Sequence, residues 1–225
     1  MTEQLARSAK LRSLAQSDPK TAAARQRLRA WQAERLVRTH ADLLENPRFG
    51  DAAKFFLTDV YDVNDLGGRD AEVQRVAPVM STVLSAAALE TAADAIELDA
   101  LSEDLDAAMV AALGRRLTSL DAAAYGRAYR KVGRRSDRER QIELIKHLGE
   151  ALDRLTRQRF ISATLAVMRK PAQLAGLGKL QSFLERGFRA FQKMGNPDEL
   201  LALIVGRERQ LLEALFAGDD SLLGK

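Results

Sequence analysis

Three sets of residues in this 225-residue chain have the types and spacing for chemistry. Glu90, Asp94 and Glu97 stand at i, i+4 and i+7, so on a helix three carboxylates come within reach of one cation. Glu143 and His147, at i and i+4, could add to that ligand set from a second helix. A carboxylate-bridged metal bundle ordinarily carries Glu-x-x-His pairs on two helices, and this sequence has none; pairing with Arg69, Arg75 or the basic helices is the competing use. The second set is Arg127, Arg130, Arg134, Arg135 and Arg138, with Lys131, Arg140 and the aromatic Tyr125 and Tyr129 beside them. Positive charge with stacking rings suits a polyanion, whether single-stranded nucleic acid or anionic lipid, and such binding would be salt-dependent. No helix-turn-helix or zinc-finger signature accompanies it, and interhelical pairing explains the same residues. The third is LQSFLERGFRAFQKM, in which Phe183, Gly187, Phe191 and Met194 share a helix face. A glycine there admits either a close helix crossing or a flat apolar ligand such as a haem or lipid, with His147 or His40 as axial ligand. Ordinary core packing competes with that use.

Other chemistry is excluded by residue type. The chain has no cysteine, which removes disulfides, thiolate metal sites and cysteine nucleophiles together. Its two histidines, His40 and His147, cannot make a three-histidine zinc site. AGLGKL, residues 175–180, falls short of a phosphate loop: Gln173 stands where glycine is needed, Leu180 replaces the required Ser or Thr, and no strand precedes it. No Gly-x-Ser-x-Gly elbow is present, and no Ser-His-Asp order stands out as a triad. The reading leans away from an enzyme and implies no cofactor. It favours a cytoplasmic interaction or adaptor protein with a protein partner or a second copy of itself; a bundle holding a small apolar ligand, or a polyanion binder, are the alternatives.

Charge supports association in either of two ways. Basic residues outnumber acidic ones ten to five over 1–50 and nineteen to seven over 113–193. The balance reverses to three against thirteen over 51–112 and three against six over 194–225. Such blocks serve either to pair acidic helices with basic ones inside the fold or to present a basic surface to a polyanion.

These residues must be positioned by helices, because periodicity points to helix almost everywhere. Asp18-Pro19 opens a helix over 19–45, a second covers 51–61, and a third about 69–83 with a kink at Pro78. Ser85 caps a fourth to Leu113; Thr118 or Ser119 opens a fifth ending near Gly133. Ser136 to Glu139 reads as a capping box launching a long helix to Lys170, before Pro171. Gly178 to Met194 is the seventh, and Asn196-Pro197 opens the eighth, which ends at Gly218. The expected fold is therefore all-α, a single bundle of about eight helices over 18–218. Residues 1–17 form a disordered N-terminal segment, 219–225 a tail, and a seam lies near Gly114 to Ser136. No run approaches eighteen apolar residues, and the N-terminus lacks the apolar core of a signal peptide, hence the cytoplasmic expectation.

The fourth helix is apolar on two sides. On a wheel of about 100° per residue, Thr91, Ala95, Leu101 and Leu105 cluster with Leu98, while Leu89, Ile96 and Ala100 fall opposite. A helix of that kind packs from both sides and is expected at the centre. FFLTDVY, residues 55–61, then anchors the second helix against it through Phe55 and Phe56, with Tyr61 seeking a polar partner.

FFLTDVY, followed by Asp65, Arg69-Asp70, Arg75 and Pro78 and then by LETAADAIELDALSEDLD, resembles the bacterial FFLEELY-motif family. The resemblance covers most of the chain. Thr58 and Asp59 stand where the motif has its two glutamates, and Val60 where it has leucine. The family brings no activity, cofactor or site residue with it, so the resemblance implies a relationship of fold alone.

Overall fold

The computed structural model describes residues 18–56 and 86–224. Among the described residues the fold is all-α, with nine α-helices, two 3₁₀ segments and no strand. The helices are α1 Pro19–Thr39, α2 Ala41–Glu45, α3 Gly50–Lys54, α4 Ala86–Leu113, α5 Ala122–Val132, α6 Arg135–Thr156, α7 Arg159–Leu174, α8 Gly178–Met194 and α9 Asp198–Ala217. The 3₁₀ segments are Gly114–Ser119 and Ser221–Gly224. The expected N-terminal segment 1–17, the third helix with Pro78, residues 57–61 of FFLTDVY and the Ser85 cap lie outside the described residues.

Local signals at several helix ends act as the sequence predicts. The Asp18 carboxylate accepts from the Lys20 and Thr21 backbone N–H groups at 3.1 Å each, with Pro19 in the first helical position. The Thr21 hydroxyl also donates to it, and these bonds hold its carboxyl below the usual range. The Asn196 side chain accepts from the Asp198 N–H at 2.9 Å across Pro197, opening α9.

Four boundaries differ. The expected helix 19–45 breaks at His40, whose ψ of 22° leaves the helical range. The fifth helix starts after Asp121, whose carboxylate accepts from the Ala124 N–H at 2.7 Å; Thr118 instead closes the preceding 3₁₀ turn by donating to the Arg115 carbonyl at 2.9 Å. The capping box does not form. Arg134 takes a left-handed φ of 55°, its carbonyl accepts from Asp137 and Arg138, and Glu139 pairs with Arg135 at 2.8 Å. The long helix to Lys170 is two helices, α6 and α7, parted where Gln158 turns extended. Pro171 sits within the last turn of α7, where it deletes one N–H but blocks no further winding. The stop is Gly176, at φ 70°, which lets the Leu177 N–H reach back to the Ala172 carbonyl at 2.7 Å.

The chain forms two compact units. Among the described residues the first takes in 18–40, 94–146 and 202–224, and the second 41–56, 86–93 and 147–201. The stretch 114–136, where charge suggests a seam, lies wholly inside the first. The core of the first unit joins Leu28 of α1, Met109 and Leu113 of α4, Ala124, Tyr125 and Tyr129 of α5, and Leu211 and Leu215 of α9. Trp31 stacks on Tyr125 with ring centroids 4.4 Å apart. In this unit α4 buries Leu98 and Leu105 on one face and Ile96 and Ala100 on the other, as its two-sided pattern requires, although Ala95 is exposed. The expected tail is part of the core as well. Leu223 is buried among these residues, and Asp220 lies against Gly126 and Arg130.

In the second unit Phe55 and Phe56 pack on α8, a partner the sequence reading did not name. Phe55 meets Phe183 at 5.0 Å and Phe56 meets Phe191 at 5.3 Å between centroids. Gly187 decides this, because a Cβ there would stand 2.6 Å from Phe55 Cζ. On its other flank α8 packs along α7.

Candidate functional site

The acidic residues of α4 are largely engaged by arginine. Arg140 of α6 grips Glu97 through Nε and Nη2 at 2.6 and 2.9 Å, and its Nη1 lies 3.6 Å from Glu143. The guanidinium thus stands between two carboxylates that could share a cation, and its hydrogen bond holds the Glu97 carboxyl below the usual range. Glu90 is exposed, while Asp94 and His147 are half-buried. Among the described residues no three Asp, Glu or His side chains converge as a metal ion would need.

Three of the five arginines of the basic run are paired with carboxylates in the same way. Arg130 holds both oxygens of Asp220, at 2.7 and 3.2 Å, and donates to the Leu215 carbonyl at 3.0 Å. Arg134 pairs with Asp137 at 2.5 Å, and Arg135 with Glu139 and Glu213. Arg138 is buried, its guanidinium 4.7 Å from the Tyr129 ring centroid and its Nη1 donating to Gln141. Arg127 faces solvent. The two tyrosines that would stack on bases lie in the core, and burial pushes the Tyr129 hydroxyl up.

Sequence reasoning missed a set of buried ion pairs in the first unit. Arg25 Nη1 lies 2.8 Å from the Glu103 carboxylate and its Nη2 donates to the Glu103 carbonyl, while Arg29 reaches both the Glu103 carboxylate and, at 2.9 Å, Asp106. The signal was present: Arg25 and Arg29 at i, i+4 on one helix face Glu103 and Asp106 at i, i+3 on another. Further along α1, Arg35 donates to Glu208 at 2.5 Å and His40 Nε2 lies 3.2 Å from the same oxygen. Burial alone would push the Glu208 carboxyl up, but the Arg35 charge and the hydrogen bonds from His40 and Arg35 outweigh it and hold it at about 2. An ionised carboxylate only accepts, so His40 Nε2 carries the proton.

The Phe183, Gly187, Phe191 face is filled from within the chain. Phe55 occupies the space beside Gly187, with Phe56 next to it on Phe191. Phe191 and Met194 are buried, as core packing requires.

A different surface stands open on α7. Its inner side docks on α8: Gln181 donates to the Leu165 carbonyl at 2.7 Å, Arg169 holds Glu185 at 2.9 and 2.7 Å, and Ala172 is buried. Its outer side carries Phe160, Val167 and Leu174 at 68, 74 and 90% exposure. They are seven residues apart, so they form one stripe along the helix, with Met168 half-exposed beside it. That spacing was readable in the sequence. Only the packing reveals that the stripe faces outward.

Residues 11–222 match the family described as a domain of unknown function, DUF8198. The chain belongs to this family. No curated protein and no solved structure matches it.

In this DUF8198 chain, then, the ionic groups picked out by their spacing mostly neutralise one another, and the aromatic face with its glycine is packed. No helix among the described residues is long and apolar enough to cross a membrane. What α7 offers is apolar area in water. A stripe of large side chains on a solvent-facing helix gains free energy when covered, by roughly 25 cal/mol per Å².

Proposed function

We propose that this DUF8198 chain is a non-enzymatic cytoplasmic interaction protein that binds a macromolecular partner through the outer face of α7. The observation that carries the reading is the exposure of Phe160, Val167 and Leu174 in one stripe. The internal pairing of the basic run with Asp137, Glu139, Glu213 and Asp220 supports it, because it leaves less charge for a polyanion. We read the chain from residue 18 as one helical domain that takes in residues 219–224 as well, supported by a family match that runs through both units. FFLTDVY is read as this chain's form of the FFLEELY motif, its role being to seat Phe55 and Phe56 on α8.

The test is photo-cross-linking in the cells that make the protein, with a photoreactive phenylalanine at position 167 or, as control, at the exposed Gln173 off the stripe. A discrete protein adduct at 167 and none at 173 is expected. No adduct at 167 overturns the reading.

A further inference from the structure

The chemistry of the α7 stripe indicates which partner it fits. Phe160, Val167 and Leu174 recur at seven residues with Thr164 and Pro171 between them, giving 160, 164, 167, 171 and 174 the alternating three-and-four spacing of a two-helix seam. No titratable side chain lies in it. We infer that the stripe receives α7 of a second copy of this chain, running antiparallel; the inference rests on reading the stripe as a binding surface.

Charge selects the direction. The approach to α7 carries the exposed Arg154 and Arg157, of which Arg157 is paired with Asp153 and also feels Asp198, while Arg154 has no carboxylate in an ion pair with it among the described residues. The far end, residues 171–178, has no charged side chain, and the last turn of α7 has no basic residue. A parallel pair would set the two arginine ends together and Lys170 beside its own copy. An antiparallel pair sets each arginine end beside the partner's helix C-terminus, where carbonyl groups concentrate partial negative charge, and brings Lys170 opposite the uncharged Thr164 region.

The stripe has its midpoint at Val167, with Phe160 and Leu174 seven residues to either side. A two-fold axis near Val167 therefore brings Phe160 of one copy toward Leu174 of the other at both ends of the seam, with the two Val167 side chains meeting at its centre. Sixteen helical residues span about 24 Å, and one helix pair of that length buries an area at the low end of specific interfaces. The dimer is accordingly reversible and concentration-dependent.

The experiment is sedimentation and native mass measurement of the untagged full chain over a concentration series, with photo-cross-linking from position 160 in a mixture of light and ¹⁵N-labelled copies. Expected are a dimer growing with concentration and a light–heavy cross-link from 160 to residues near 174. Val167→Glu and Leu174→Glu should each be monomeric with an unchanged melting temperature, both positions being exposed. A wild-type chain that stays monomeric overturns the inference, as does a cross-link from 160 to 160, or Val167→Glu dimerising like the wild type. If the chain is monomeric but position 167 cross-links to another protein, the self-pairing fails while the interaction reading stands. If the monomer instead co-sediments with phosphatidylglycerol vesicles and Val167→Glu does not, the occupant is a lipid surface and the inference is again overturned. Monomer with no adduct of any kind ends both.

Discussion

Phe55 sets its ring where Gly187 would otherwise carry a side chain: Phe55 Cζ lies 2.6 Å from the Cβ position of residue 187. The first aromatic of FFLTDVY and the glycine of FLERGFRAF, 132 residues apart, are thus two halves of one contact. The glycine that suggested a ligand cleft is instead the seat of a phenyl ring from the same chain.

Gly187→Ala should therefore destabilise the protein. Forcing a methyl against a packed ring costs about 1–3 kcal/mol, which outweighs the roughly 1 kcal/mol that alanine gains over glycine in a helix. Urea denaturation measures the balance; a variant as stable as the parent would mean the ring swings aside freely.

Phe56→Ala removes a buried ring resting on Phe191, and a loss of about 3–5 kcal/mol is expected. A thermal melt that does not move would remove the packing account of the aromatic run.

Acid stability should depend on Glu208. Its carboxyl is held at about 2 in the folded protein against an ordinary value of 4.5, so the folded state favours the ionised form. The resulting stabilisation, on the order of 3 kcal/mol, is fully present above about pH 4.5 and is lost as pH falls toward 2. Glu185, held at about 2 by hydrogen bonds from Arg169 and Gln181, titrates in the same direction. Glu208→Gln should lower stability at pH 7 and flatten its decline between pH 5 and 2 without abolishing it. An unchanged acid limb in the variant counts against the Arg35–Glu208–His40 arrangement.

Leu223 belongs to the core although it lies in the segment expected to be a tail. Leu223→Ala should cost about 2 kcal/mol or more, and Asp220→Ala should destabilise too by leaving Arg130 without its carboxylate. Chemical denaturation of both variants checks this. Parental stability in both would show that the last residues detach in solution.

The all-α class was legible in the sequence because helix periodicity and end signals are local. Asp18-Pro19 and Asn196-Pro197 act on N–H groups two or three residues away, and the two apolar faces of α4 repeat every turn of its own chain. The breaks at His40 and at Arg157–Gln158 were not legible, since a helical pattern continues through both and tertiary burial decides where the chain turns. The charge blocks announced that arginines and carboxylates would pair, but not that Arg140 would stand between Glu97 and Glu143, or Arg35 beside Glu208. The Arg140–Glu97 and Arg35–Glu208 pairings need groups from distant segments brought to within about 3 Å, a distance no spacing within one helix encodes. The same holds for the two apolar faces that matter most. Phe183, Gly187 and Phe191 on α8, and Phe160, Val167 and Leu174 on α7, are comparable stripes in sequence. Folding covers the first with Phe55 and Phe56 and leaves the second to water, because one side of a helix records only that it is apolar and the rest of the chain determines what meets it.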